Sequence, residues 1–168
     1  MIGYIILLFN KQVDFWQMMA FTSATFIDIS IGLGSGLLAG LLGLLLLKHS
    51  IFSNINDFFG KMIQRLNPQW YHILFYSFCA GVGEEILFRG AIQSFIFIFP
   101  TAIIFVAIHG YLNPKDWKMS LYGIFLVFVS AGMGYLMKHQ SIYAAMAAHF
   151  IYDVVMFWSL TRKTTAKA

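Results

Sequence analysis

Ile29-Ser30-Ile31-Gly32-Leu33-Gly34-Ser35-Gly36-Leu37-Leu38-Ala39-Gly40-Leu41-Leu42-Gly43-Leu44-Leu45-Leu46-Leu47 is a long stretch without a single charge. A helix needs about 20 apolar residues to cross the hydrocarbon core of a bilayer, so this stretch predicts a transmembrane helix. It also decides the fold class. In lipid every backbone amide must find a partner within the protein, which leaves helices or closed barrels. Barrel strands alternate polar and apolar residues over about ten positions, and this stretch does not. Gly32, Gly36 and Gly40 recur every four residues, with Gly43 one turn beyond Ala39. Small residues at that spacing form a face on which a second helix can approach closely. With no lysine and no preceding strand, these glycines are not a phosphate-binding loop.

The rest of the chain has the same character. Of its 168 residues 60% are hydrophobic and 11% charged, where soluble domains carry about 25% charged residues. The predicted fold is all-α, a polytopic transmembrane bundle of about five or six membrane helices with a short amphipathic surface helix. Upstream, Ile2–Phe9 is apolar but too short to span, and Asn10, Lys11, Gln12 and Asp14 interrupt it. A further helix is expected over Phe15–Ile27, with Trp16 as an interfacial anchor. The N-terminus lacks the basic segment and cleavage site of a signal peptide. Downstream, Lys48–Gln69 reads as a connector containing an amphipathic helix, capped by Asn56 and stopped before Pro68. Apolar runs follow from Trp70 and from Ala91 to Ile108, the latter broken by Pro100. Asn113-Pro114 predicts the start of a helix reaching about Met137, and Ser141 opens a last helix ending near Leu160. Residues 1–66 are thus expected to hold N-terminal membrane helices and the connector, and residues 67–168 a catalytic core, as one integrated membrane domain. Cys79, the single cysteine, excludes an internal disulfide and multi-cysteine metal sites and reads as a small buried residue.

Basic residues predict orientation. Lys48, Lys61, Arg65, Lys115, Lys118, Arg162, Lys163 and Lys167 fall on one side, against Lys11, Arg89 and Lys138 on the other. The positive-inside rule places the richer side, and the C-terminus, in the cytoplasm. The small net charge of +4 gives no case for nucleic acid as a partner.

Three polar clusters interrupt the apolar helices. The first is Glu84, Glu85 and Arg89 within Gly81–Gly90. Charged side chains in hydrocarbon cost roughly 2.5–3.5 kcal/mol each and are functional candidates by default. Glu85 and Arg89 are four apart and share a helix face, whereas Glu84 lies about 100° round the helix. The expectation is that Glu85 pairs with Arg89, and that Glu84 faces the bundle interior and touches histidines that Glu85 does not. The second cluster is His109, one turn after Phe105. The third is His149 with Asp153, one turn apart. Comparable depth for all three requires the Glu helix to continue to about Ser94 and turn near residues 95–101. His49, His72 and His139 lie near predicted helix ends and are assigned no role.

Glu-Glu-x-x-x-Arg at 84–89, Phe-x-x-x-His at 105–109 and His-x-x-x-Asp at 149–153, in this order, resemble the motifs of the CPBP family, the CAAX-protease and bacteriocin-processing (Abi) intramembrane proteases. The resemblance covers about Ile73 to Trp158. In that family the last motif more often ends in Asn. The resemblance implies a glutamate-dependent intramembrane endopeptidase that hydrolyses a peptide bond of a membrane-associated protein or peptide. Glu84 with His109 would activate water, His149 with Asp153 would stabilise the oxyanion, and Glu85 with Arg89 would hold the Glu helix and tune Glu84. No cofactor is expected. Zinc on Glu84, His109 and His149 is the alternative, an acceptable donor set that lacks a His-Glu-x-x-His helix. The implied partners are the lipid bilayer and an anchored substrate such as a C-terminal sorting tail cut near the outer leaflet. The implied location is a bacterial inner membrane. A non-catalytic scaffold or a bacteriocin self-immunity protein that keeps the fold is the competing reading. A proton-coupled carrier is a third, disfavoured because the chain has no detectable inverted repeat.

Overall fold

The computed structural model describes residues 14–162. The readings made for Ile2–Phe9 and Lys11, and for the tail from residue 163 on, lie outside the described residues. Every regular element among the described residues is helical: α1 (Phe15–Met18), α2 (Thr25–Lys48), α3 (Ser53–Leu66), α4 (Trp70–Glu85), a π-helical segment (Ile86–Ile92), α5 (Gln93–Ile96), α6 (Ile98–Ile108), α7 (Trp117–His139) and α8 (Ile142–Arg162). Helices α2, α7 and α8 are long and apolar enough to cross a membrane. The α4–π–α5 run continues as one helical rod over residues 70–96, and α6 is a shorter apolar helix. Leu38, Leu45, Phe75, Phe78 and Phe128 stand exposed on the outside of the bundle, as side chains facing lipid do. Cys79 is exposed among them, so the expectation of a buried cysteine is corrected. It lies on the outer face of α4, opposite the buried stripe of Ile73, Ser77, Gly81 and Glu85.

Helix α8 is the axis of the bundle. The predicted small-residue face of α2 packs against it. A methyl group on Gly32 would overlap the carbonyl of Ala144, and one on Gly36 would overlap that of Ala148. Gly40 lies against Val155, 3.1 Å from where its own Cβ would stand. On another side, a methyl group on Gly81 of α4 would stand 3.1 Å from the backbone of Met146 and Phe150. Ala144, Ala145 and Ala148 are fully or almost fully buried, so α8 is slim where two other helices close on it.

Three local expectations change. The Phe15–Ile27 helix is interrupted: one turn, α1, is capped by the Asp14 side chain, and α2 begins at Thr25. Helix α3 starts at Ser53 with no side-chain cap, after a 3₁₀ turn in which His49 caps Ile51, so Asn56 falls inside the helix. Helix α7 starts at Trp117, because the Asp116 carboxylate accepts from the amides of Lys118 and Met119. Asn113 instead accepts from the Lys115 amide in a turn of its own. The expected turn after the Glu helix is present at Phe97, whose φ of 67° is in the left-handed region. Pro100 sits in the first turn of α6, where its missing N–H leaves no intrahelical bond unmade.

Lys48 at the end of α2 and Lys61 and Arg65 of α3 lie at one end of the bundle. Leu47, Phe52, Ile55 and Tyr122 form a cluster there with Phe59, Tyr111 and Met156, joining the end of α2, α3, the start of α7 and the last turns of α8. At the other end, the Tyr143 hydroxyl donates to the Met19 carbonyl at 2.8 Å and ties the α1 turn to the start of α8.

Candidate active site

Each polar residue is placed by a local feature of its helix. Glu85 ends the buried stripe of α4, which lies in the seam against α8. Glu84, one step round the helix, faces a cavity of about 340 Å³. Beyond them the chain widens into a π-helix, in which Phe88, Arg89, Gly90 and Ala91 are buried in succession. Such segments are rare overall and are frequent at functional sites. His109 caps α6. Gly110, at φ 80°, lets its own amide reach the Ala107 carbonyl and the Tyr111 amide reach that of Val106. This double bond pattern is a Schellman motif, which wants glycine at the left-handed position. It ends α6 at the site rather than carrying His109 past it. The His109 ring is fixed further by Nδ1, which donates to the Phe105 carbonyl at 2.6 Å.

The three motifs converge. Glu84 Oε1 lies 3.7 Å from His109 Nε2, and Glu84 Oε2 lies 3.8 Å from His149 Nε2. Asp153 Oδ2 lies 3.7 Å from the same His149 nitrogen. These separations exceed hydrogen-bond length and suit polar groups that share a water. Phe105 is the packing hub: its ring meets Phe88 edge-on, tilts against His109 at 4.5 Å, meets His149 at 5.8 Å and lies under the Arg89 guanidinium at 4.8 Å.

The expectation that Glu85 stays clear of the histidines is corrected. Its Oε2 is 3.1 Å from Arg89 Nε, as the spacing of four predicts, but its Oε1 receives His149 Nδ1–H at 2.8 Å. The reason is the stripe itself: Ser77, Gly81 and Glu85 face α8, and His149 is the polar residue of α8 at that level. His109 is left to Glu84 alone. Arg89 also reaches across to α7, donating from Nη2 to the Ser130 carbonyl at 3.0 Å and hydroxyl at 2.9 Å. Sequence reasoning missed Ser130, which stands outside the three motifs. The only hint was a hydroxyl followed by Ala131 and Gly132 in an apolar helix. It also missed Tyr111, Tyr122 and Tyr152, which line the cavity. The hydroxyls of Tyr122 and Tyr152 meet at 3.3 Å.

Exposure separates the two glutamates. The Glu84 side chain is 32% exposed and that of Glu85 is 0%. From Glu84 the cavity extends past Tyr111 and Tyr122 to Leu47, Phe59, Met62, Ile63 and Leu160, toward the end that carries the basic residues. No group of three His, Cys, Asp or Glu side chains among the described residues is arranged to hold a metal ion.

A family model described as type II CAAX prenyl endopeptidase, Rce1-like, matches residues 66–155. The chain belongs to this family. All three motifs lie inside the matched span, and the resemblance read from them holds at that level: the family is one of CAAX-type intramembrane proteases. A Bacillus subtilis (strain 168) protein described as "Uncharacterized protein YpbD" is 34% identical over 85 residues. That alignment takes in 50% of this chain and 43% of the relative, so the chain spans less than half the relative's length. No solved structure matches.

Proposed function

We propose that this Rce1-like chain is an intramembrane endopeptidase whose general base is Glu84. The catalytic core is assigned to residues 67–168, and the described helices upstream of it, α1 to α3, brace that core. The observation that carries the reading is the position of one partly exposed carboxylate between the Nε2 atoms of two histidines on a cavity wall. A water in the gap between Glu84 and His109 gives up its proton to Glu84 as its oxygen attacks the scissile carbonyl. His109 donates Nδ1–H to a backbone carbonyl, so the neutral ring has its Nε2 lone pair free to accept from that water. The carbonyl becomes a tetrahedral oxyanion. His149 protonated on both nitrogens donates to Glu85 through Nδ1 and presents Nε2–H to the oxyanion, with Asp153 beside it. The proton on Glu84 then passes to the leaving amine as the C–N bond breaks.

The substrate is a membrane-anchored protein or peptide. The reach of the cavity toward the basic end favours entry of the cut segment from that end, which the positive-inside rule makes cytoplasmic. The competing reading, a sorting tail cut near the outer leaflet, would have the cut segment enter from the other end. A cleavage assay on a panel of membrane-anchored peptides, comparing the purified protein with Glu84→Ala, tests the assignment. Product from the wild type alone is expected, and equal product from both would sink Glu84 as the base. Failure of the wild type to cut any substrate would favour a non-catalytic scaffold. Stripping metal with a chelator, followed by metal analysis, is expected to leave cleavage unchanged; activity that vanishes and returns with zinc would establish the metal-assisted route instead.

A further inference from the structure

Ser130 is buried at 3% exposure in the middle of α7, outside every motif. Both of its oxygens accept from one guanidinium nitrogen, Arg89 Nη2. Arg89 is itself buried, and its Nε faces Glu85 at 3.1 Å. Glu85 in turn receives the Nδ1–H of His149 at 2.8 Å. These contacts form one unbroken line from α7 through the α4–π junction to α8. The Nε2 side of the ring at its far end faces Glu84 and Asp153.

We propose that Ser130 is a positioning residue that acts through Arg89 and Glu85 to hold the His149 ring, with Nδ1 protonated and Nε2 turned to the cavity. The kinetic half of the proposal rests on the protease reading above. A ligating or catalytic histidine takes its tautomer and orientation from the partner of its other nitrogen. Here that partner is a carboxylate whose own direction is set by a single guanidinium. Glu85 Oε2 has no well-aligned hydrogen bond and Arg89 Nη1 has no partner among the described residues. The pair is therefore under-restrained by itself; on the side away from Glu85 the guanidinium is held over the Phe105 ring by the two bonds to Ser130 and a longer contact from Nη2 to Met133 Sδ at 3.7 Å. Loss of the hydroxyl leaves Nη2 the Ser130 carbonyl and the weak thioether acceptor of Met133, so the guanidinium is held less tightly and the ring loses its orientation without loss of the fold. Ser130 also borders the cavity, and direct contact with substrate is the competing role.

The test uses full-length protein in detergent or nanodiscs with Ser130→Ala and Ser130→Thr. The first readout is kinetic. Ser130→Ala is expected to lower kcat about tenfold, the scale of one lost hydrogen bond to a charged group, with KM within about twofold, and Ser130→Thr to recover most of kcat. The second readout needs no substrate: ¹⁵N spectra of histidine-labelled protein, with the His149 signals assigned by His149→Gln. Ser130→Ala is expected to shift or broaden the His149 Nδ1 resonance and leave that of His109 in place. A His149 resonance unchanged in Ser130→Ala overturns the proposal whatever the kinetics do. A rise in KM at constant kcat would assign Ser130 to substrate contact and overturn it as well. If the wild type cleaves nothing, the protease reading fails and the ¹⁵N comparison still decides the positioning role.

Discussion

Glu84 and Glu85 are adjacent in the chain and belong to two different regions of the molecule. Glu84 is on the cavity wall, a third exposed, more than hydrogen-bond distance from two histidines. Glu85 is in the seam between α4 and α8, fully buried, in direct contact with Arg89 and His149. One step of about 100° round a helix separates a group with room for water and substrate from one with room for neither. The cavity wall is loosely connected and chemically available. The seam is tightly connected and sets the geometry of the wall. Substitutions on the two faces should therefore fail differently, in catalysis on one and in stability on the other.

The largest expected effect breaks the comparison on the cavity side. Positioned proton transfer contributes typically 10²–10⁴-fold to rate, so Glu84→Ala should lower cleavage by about that factor while thermal unfolding stays within a few degrees of wild type. A variant that unfolds early would move Glu84 into the structural region and erase the distinction. The next effect breaks it on the seam side. Glu85→Gln leaves the Arg89 charge buried without its counter-charge, and removing one partner of a buried pair costs about 3–5 kcal/mol. Its midpoint of unfolding should fall clearly below that of Glu84→Ala, and cleavage should fall too because His149 loses a charged acceptor. Unaltered stability in Glu85→Gln would show that the seam is not held by this pair.

Much of this division is legible in the sequence alone. Residues four apart share a helix face, and that alone paired Glu85 with Arg89 and turned Glu84 another way. The glycine spacing of α2 announced a close helix contact, though not its partner, because spacing describes one surface and not the one it meets. The depth match of the three motifs predicted the turn that the chain makes at Phe97. The bond from Glu85 to His149 was missed although its signal was present: Ile73, Ser77 and Gly81 lead at intervals of four to Glu85, and a stripe of small residues marks the side where another helix will lie. The π-helical widening after Glu85 had no signal, since its hydrogen bonds follow from packing on several sides at once. Ser130 was missed because a lone hydroxyl in an apolar helix is ordinarily satisfied by its own backbone. The start of α7 shifted because Asp116 reaches two amides, and Asn113 was already engaged in a turn.

The smallest expected effect sharpens what the cavity wall contributes. Asp153 Oδ2 is 3.7 Å from His149 Nε2, and its side chain is 20% exposed. At that distance it makes no direct hydrogen bond. Its influence on the ring is through space or through a shared water, whereas the Glu85 bond at 2.8 Å fixes the ring from behind. Asp153→Asn keeps the shape and an acceptor oxygen, removes the charge and adds a donor, and it restores the residue more usual in this motif. If hydrogen bonding to the developing oxyanion is what this position supplies, the amide can donate directly, and cleavage should stay within about threefold of wild type or rise. One pKa unit of lost charge interaction corresponds to about 1.36 kcal/mol, so a wall that works by charge would instead lose tenfold or more in the same variant. A loss of that size, with unfolding unchanged, would mean that the cavity side depends on its carboxylates as charges and not as hydrogen-bonding shapes. The two faces of α4 would then differ in exposure and connectivity but share an electrostatic task.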